Sequence, residues 1–335
     1  TRYFTVRYQL YKLTNYMEHT PELEETDVYL QSMDFAHAWM LGLIPTEEIY
    51  RELMGRVNSP TRIKDITSAL DERNHSLFHS LTQKVVNRIL EIELQRGDSE
   101  TQVTRLAEEL HRVYGAETLI RILQAFGKDT FIRDSYNWRN TKRGVLSSLL
   151  HACYPSPDDD SDTLKSLASQ ADISHIRLVE AAMFAPQWLE LTEKATGWKG
   201  LESAAYYFHA HTSECFDDKK KAIIARYTPI AIEDLQEGAF DIDWFKDAFK
   251  TIGKQRFEVV YNAAKYISCS NSQTRARKFA DATNGAVKAA DIKKEIIAKR
   301  NKDLLMSYGL IPLGRKPDKE LLDRYQYLQK FLKES

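Results

Sequence analysis

Apolar residues recur at helical spacing from one end of the chain to the other. Ile242, Phe245, Phe249 and Ile252 lie at steps of three and four, which place them on one face of an α-helix. Strict apolar/polar alternation is hard to find, so strands are not expected. A longer stripe predicts a helix of about four turns. It consists of Val103, Leu106, Ala107, Leu110, Val113 and Tyr114.

Capping residues divide these stripes into short helices. Ser174 precedes "HIRLVEAA", and Gly197 and Gly253 stand where helical patterns end. Caps at such short intervals indicate many helices joined by short turns. The sequence therefore predicts an all-α fold, a multi-helical array of short antiparallel helix pairs, as either a HEAT-like solenoid or an irregular helical bundle.

Two stretches interrupt the helical pattern. "GKDTFIRDSYNWRNTKRG" (127–144) has aromatic and basic residues without an apolar stripe. "YPSPDDDSD" (154–162) lacks the glycine and the later glutamate of an EF-hand, so its aspartates indicate a solvated linker that caps a helix near Thr163. We therefore predict an N-terminal helical segment (1–153), a Pro/Asp-rich linker (154–162) and a C-terminal helical segment (163–335).

Charge and cysteine content limit the function classes. Lys and Arg number 47 against 48 Asp and Glu, a formal net charge of -1, so attraction to nucleic acid or anionic lipid must be local. No apolar run approaches a membrane span or a signal peptide. Cys153, Cys215 and Cys269 are odd in number and far apart, which predicts a cytoplasmic protein without a disulfide framework. The chain starts at Thr1 and ends within a helical pattern, so we expect a segment of a longer chain.

The stretch "YYFHAHTSECF" (206–216) raises the question of a metal site. On a helix His209 and His211 diverge by about 200°, so only His211 and Cys215, at i and i+4, could share an ion. Zinc normally takes three or four protein ligands, and no partner motif is visible. We predict that His211 is a hydrogen-bonded, partly buried helix residue and that Cys215 is a small apolar filler, with a metal protein as the alternative.

Motifs for catalysis and for cofactors are missing from the sequence. It contains no phosphate-binding loop, no dinucleotide-binding fingerprint, no nucleophile elbow and no HExxH helix. Acidic pairs such as Glu108 and Glu109 fit a solvated helix face. We therefore predict no catalytic, cofactor-binding or metal-binding residue and no enzyme activity.

The C-terminal third is locally basic. From Asn271 onward fifteen basic and eight acidic residues give a formal net charge of +7. Such a face is either a solvated helical surface or a phosphate-binding surface for nucleic acid. The candidate phosphate or nucleic-acid contacts are Arg275, Arg277, Lys278, Lys293, Lys294 and Arg300.

Several phrases resemble the central region of very large bacterial proteins, the MolR-like (molybdate-metabolism-regulator-like) family. They are "RLVEAAMFAPQWLELTEKATGWKGLESAAYYFHAHT" (177–212), "DIDWFKDAFKTIGKQRFEVVYNAAKYIS" (241–268), "TRARKFADA" (274–282) and the stretch 299–335. The resemblance is clearest from about residue 144 onward. It implies an internal helical segment of unknown function, followed in the family by a further large domain and in some members by a WGR module that associates with nucleic acid. No catalytic residue set comes with it.

These observations favour a non-enzymatic helical scaffold or protein-interaction segment. Its expected partners are other domains of the same longer chain and further proteins, with nucleic acid as the alternative partner and no membrane. Exposed aromatics are expected to supply contact energy; they are Tyr206, Tyr207, Tyr325 and Tyr327. Large buried residues are expected between the helices; they are Phe184, Trp188, Trp198, Trp244, Phe245 and Phe257.

Overall fold

A computed structural model describes residues 2–16, 30–46, 48, 72–108, 110–133, 138, 140–212, 216–268 and 273–333. This part of the chain contains eighteen α-helices, two two-residue strands and two short 3-10 helices, so the all-α prediction is confirmed. Up to the second strand the elements are α1 (Arg2–Tyr16), α2 (Ser32–Met40), α3 (Glu72–Leu94), α4 (Thr104–Glu108), β1 (Val113–Tyr114), α5 (Ala116–Phe126), α6 (Lys142–His151) and β2 (Cys153–Tyr154).

The remaining helices follow without a further strand in the described residues. They are α7 (Ser161–Gln170), α8 (His175–Phe184), a 3-10 helix (Pro186–Trp188), α9 (Leu189–Thr196), α10 (Leu201–Ala210), α11 (Asp218–Ile224), α12 (Ile232–Glu237), α13 (Ile242–Ile252), α14 (Lys254–Ala263), a 3-10 helix (Ala264–Tyr266), α15 (Gln273–Thr283), α16 (Ala289–Lys299), α17 (Lys302–Leu310) and α18 (Pro317–Lys333).

Local capping explains where many of these helices begin. The predicted cap Ser174 accepts a hydrogen bond from the backbone N–H of Arg177 at 3.2 Å. Asp160 accepts from Thr163 N–H at 2.7 Å and starts α7, as the aspartate-rich stretch predicts. Pro186 opens the 3-10 helix after α8, where its missing N–H costs no hydrogen bond.

The chain divides into two compact units. Unit 1 comprises 1–113 and 135–153, and unit 2 comprises 114–134 and 154–335. The Pro/Asp-rich stretch 154–162 therefore belongs to unit 2, where Asp159 accepts hydrogen bonds from the N–H groups of Ala116 and Ser156. Its role as a linker stays a prediction.

The predicted four-turn helix over 103–114 is wrong. Helix α4 ends at Glu108, and Val113 and Tyr114 form strand β1, with the Val113 N–H bonded to the Ala152 carbonyl at 2.9 Å. A β-branched and an aromatic residue favour this extended backbone when a partner strand is available. Leu110 and Val113 are still buried, so the apolar spacing reports burial but not helical conformation here.

An ion pair lies fully inside unit 1. The Arg96 guanidinium contacts the Glu93 carboxylate, and the two side chains are 1% and 0% exposed. Arg96 also donates to Thr104 Oγ1 at 3.1 Å and to the Asn140 carbonyl at 2.9 Å, while the Thr101 hydroxyl donates to Glu93 at 2.8 Å. The pair thus links the end of α3 to α4 and to the segment before α6, through the two terminal nitrogens of the guanidinium.

Helix α10 occupies the centre of unit 2. Eight of its ten residues are buried, and it packs against six other helices, α9 and α11 to α15. A helix that is buried on all sides must lack a polar face. The sequence "LESAAYYFHA" comes close to meeting this requirement. Because solenoid repeats contact only their neighbours, this packing is that of an irregular bundle.

Close backbone approach at the start of α10 requires a glycine. Gly200 has φ of 87°, and a Cβ at this position would lie 2.9 Å from Thr251 Cγ2 and 3.2 Å from the Ile252 nitrogen.

The six large aromatic residues that the sequence predicts between the helices are all buried, and this prediction is confirmed. They are Phe184, Trp188, Trp198, Trp244, Phe245 and Phe257.

The stretch 127–133, part of the first interruption, is held to unit 2 by aromatic and arginine contacts. The Phe131 ring lies 5.0 Å from that of Tyr266 and 5.5 Å from that of Phe184. The Arg177 guanidinium lies 4.1 Å from the Phe131 ring centroid. Arg133 donates to the backbone carbonyls of Tyr266 and Phe184. This loop therefore packs by side chains rather than by a helical stripe.

The last three helices share a smaller apolar cluster in unit 2. Ile292 and Ile296 of α16 pack with Leu304, Leu305 and Tyr308 of α17, and Tyr327, Leu328 and Phe331 of α18 cover them. Buried Arg324 of α18 donates to the carbonyls of Ile311 and Pro312 at the end of α17. No helix among the described residues is long and apolar enough to cross a membrane.

Replacing Arg96 by alanine is expected to lower the free energy of unfolding by about 3–5 kcal/mol, because the Glu93 carboxylate is then buried without its cation. Urea denaturation followed by circular dichroism measures the change. The control is Arg88→Ala, whose partner Glu91 is 49% exposed and which should cost at most about 1 kcal/mol. Equal losses in the two variants would contradict this role for Arg96.

Candidate functional site

The predicted phosphate contacts on α15 are engaged within the protein. Arg275 bonds the Asp303 carboxylate of α17 at 2.8 Å and the Gln236 carbonyl at the end of α12. Arg277 donates to the Tyr261 carbonyl at 2.8 Å, with its guanidinium 4.8 Å from the Tyr261 ring centroid. Both arginines connect α15 to neighbouring helices, which explains their place in the sequence without a nucleic-acid ligand.

The other four candidates differ from one another in their contacts and exposure. Lys293 lies over the rings of Tyr308 and Tyr327, at 5.2 and 5.1 Å, and Arg300 lies 5.3 Å from the Phe331 ring. Lys278 is half-buried, and Lys294 is exposed. The basic residues of α16 therefore border the aromatic side of α18. Their use as phosphate contacts stays a prediction.

The histidines of "YYFHAHT" lie in the core of unit 2. His211 follows α10 and is 1% exposed, and its Nδ1 is 2.8 Å from the Tyr207 carbonyl. Its ring lies 5.6 Å from Phe240 and 6.0 Å from Phe279. Burial lowers the pKa of the imidazole from 6.5 to about 4. The prediction of a hydrogen-bonded histidine is confirmed, but the residue is fully rather than partly buried.

The possible metal partner of His211 is Cys215, which lies outside the described residues, as does Cys269. Within the described part of the chain no group of three or more His, Cys, Asp or Glu side chains is placed to hold a metal ion.

The prediction that Tyr206 and Tyr207 are exposed contact residues is wrong. They are 3% and 0% exposed. The Tyr207 hydroxyl donates to the Ala276 carbonyl of α15 at 2.8 Å, and its ring lies 5.0 Å from Phe245. The hydroxyl can be buried because it has found an acceptor. Tyr325 is 59% exposed, as predicted, and Tyr327 is partly buried against the cluster of α16 and α17.

The solvent-facing side of α18 carries several large apolar residues. Leu321, Tyr325 and Leu332 lie within about 40° of one another around the helix, and Leu322 flanks them. Their exposed fractions are 59%, 59%, 65% and 55%. We call these four residues the α18 outer stripe. Single exposed apolar residues are common, but large ones grouped on one helix face are typical of interaction sites.

Only Tyr325 of this surface was identified from the sequence. The missed signal is that α18 has two apolar stripes instead of one. Tyr327 and Phe331 form the stripe that packs on α16 and α17, and the residues from Leu321 to Leu332 form the second. A helix that only packs on the core requires the first of these stripes and not the second.

Two half-buried pairs of phenol and carboxylate show perturbed acidity. Tyr261 donates to Asp281 at 3.0 Å, and burial raises the pKa of both, that of Tyr261 to about 12. Tyr227 donates to Glu202 at 3.2 Å, and burial raises the pKa of Glu202. Such pairs occur in active sites, but they also join helices. The first links α14 to α15, and the second links α10 to the segment after α11.

A family model described as a family of unknown function (DUF5724) matches residues 1–335. The chain belongs to this family. No curated protein and no solved structure matches it. The DUF5724 description assigns no activity. The resemblance to MolR-like proteins stays a prediction.

The Arg275→Ala variant is expected to lose about 1–3 kcal/mol of unfolding free energy, since it removes charge-assisted hydrogen bonds between α15, α17 and the end of α12. Lys294→Ala, at an exposed position, should change it by no more than about 0.5 kcal/mol. Urea denaturation tests stability, and a low-salt gel-shift assay tests nucleic-acid binding. A wild-type stability together with a lost gel shift would favour the phosphate-contact prediction instead.

Buried His211 predicts a pH effect with a defined sign. Its folded pKa of about 4 lies below the ordinary 6.5, so the unfolded state binds more protons between these values. The stability that neutral His211 contributes is complete above pH 6.5 and is lost as the pH falls toward 4, by about 3 kcal/mol.

The measurement is the difference in pH dependence between the wild type and His211→Phe, by urea denaturation from pH 4 to pH 7 in steps of about half a unit. The variant should lack this component of the slope. Exposed His111→Gln should keep it. Parallel curves for wild type and His211→Phe would contradict the buried neutral imidazole.

Proposed function

We propose that this member of DUF5724 is a non-enzymatic helical scaffold that binds protein segments through its last helices. The observation that carries the proposal is the α18 outer stripe, whose four large side chains are each more than half exposed. Other large apolar side chains of unit 2 are either buried, as Trp188 and Phe245 are, or exposed on separate helices, as Ile176 and Ile297 are. Covering the stripe with a partner would remove its apolar surface from water, which is favourable.

The way α18 is held supports its use as a rigid platform. Arg324 and the rings of Tyr327 and Phe331 fix one side of the helix to α16 and α17. The side that carries the outer stripe is thereby presented in a single orientation, which lowers the ordering cost of binding. The proposed partners are further proteins or other domains of the same longer chain, as the MolR-like resemblance implies.

The proposed setting is a reducing cytoplasm, supported by the three widely spaced cysteines, of which Cys153 is buried. Nucleic-acid association through the basic C-terminal third is the second candidate. The contacts of Arg275 and Arg277 within unit 2 favour the protein-binding proposal, because these two guanidinium groups already bond Asp303 and backbone carbonyls.

Replacing Tyr325 by the photo-crosslinking residue p-benzoylphenylalanine tests the scaffold proposal in the native cell. Irradiation should give discrete protein adducts, because a partner on the outer stripe lies within reach of this position. The same residue at Asp323, on the charged side of α18, is the matched control and should give few adducts. Equal adduct patterns at both positions, or no protein adduct at Tyr325, would contradict the proposal.

A further inference from the structure

Helix α18 is long, but little of it is buried. Of its seventeen residues, all of which the structure describes, only Arg324 is buried. By comparison, four of the nine residues of α17 and six of the eleven residues of α15 are buried. The segment 312–319, which leads into α18 and includes its start, is exposed throughout. The packing of unit 2 therefore depends little on α18.

The residues that hold α18 have the spacing of a helix bound in a groove. They occupy positions i, i+3, i+4 and i+7, the pattern by which amphipathic helices anchor to a partner surface. These residues are Arg324, Tyr327, Leu328 and Phe331. The last three are half-buried against the cluster of α16 and α17. Helix α18 thus packs on this surface as a separate helical ligand would.

Cationic groups take a large part in this contact. Arg324 donates to two backbone carbonyls at the end of α17, and its guanidinium lies 5.5 Å from the Tyr308 ring centroid. The Lys293 ammonium of α16 lies 5.1 Å from the Tyr327 ring centroid. Water can take over the hydrogen bonds of these cations and carbonyls when the helix leaves. Opening of α18 should therefore cost less than opening of an apolar core helix such as α10.

We propose that α18 docks reversibly and leaves the surface of α16 and α17 as one unit, while the rest of unit 2 stays folded. The docked form predominates and presents the outer stripe. The open form uncovers the Tyr308 ring and the apolar cluster of α16 and α17. Helix α18 is thereby an intramolecular ligand that controls access to this surface. The proposal goes beyond the proposed function and does not depend on it.

Native-state hydrogen–deuterium exchange of the 335-residue chain, in urea too dilute to unfold it, tests the proposal. A helix of seventeen residues is only marginally stable without its support, so the amides in the middle of α18 should become exchangeable together. They should share one opening free energy. Its urea dependence should be measurable but well below that of α10, because the release of one helix exposes little surface.

Two substitutions should loosen α18 selectively. Arg324→Gln removes the buried guanidinium and should raise the exchange rates in α18 at least about tenfold. Lys293→Gln removes the ammonium beside the aromatic rings and should raise them by about two- to fivefold. The matched control is Lys294→Gln, at the next and exposed position of α16, which should leave these rates unchanged.

Exchange in α10 should be the same in the wild type and in all three variants. If Arg324→Gln also speeds exchange in α10, the substitution disturbs unit 2 as a whole, and the comparison of Lys293→Gln with Lys294→Gln decides.

Three results would overturn the proposal. Amides of α18 that open only together with those of α10 would make α18 part of one cooperative core. Amides that open one by one without urea dependence would indicate fraying rather than release of a helix. Equal exchange in α18 for Lys293→Gln and Lys294→Gln would show that the cationic contacts do not hold the helix.

Discussion

The burial of α10 on all its sides is the constraint on which unit 2 depends. A ten-residue helix that packs against six others cannot carry a charged face, and its buried polar atoms need hydrogen-bond partners within the protein. The Tyr207 hydroxyl and the His211 ring find backbone carbonyls, and Ser203 accepts from the indole N–H of Trp244 at 2.9 Å. Tyr207 and His211 are therefore residues of the core.

Helix α18 differs from α10 in what it leaves uncovered. One side packs on α16 and α17, and the other presents the outer stripe to water. The half-buried carboxylates with raised pKa, Asp281 and Glu202, are paired with phenols that join helices, so their pKa shifts have a structural explanation. We therefore look for function on the surface. We propose that the interior serves stability and that α18 serves binding.

The sequence predicts helices correctly where apolar spacing and caps agree, as over Ile242–Ile252 and after the cap Ser174. It fails over 103–114, because the same spacing suits a short helix followed by a strand whose partner lies some forty residues away in the chain. Tyr207 and Arg275 show the second limit. Whether an aromatic or basic residue is exposed depends on acceptors from distant segments, Ala276 and Asp303, which no local pattern reveals.

Hydrogen–deuterium exchange of the backbone amides compares the stability of α10 with that of α18. Amides in stably buried, well-packed helices open only with large parts of the fold, whereas amides in a helix supported on one side open locally. We expect the amides of α10 to exchange more slowly than those of α18, in dilute protein where the outer stripe is uncovered. Exchange in α10 as fast as in α18 would contradict it.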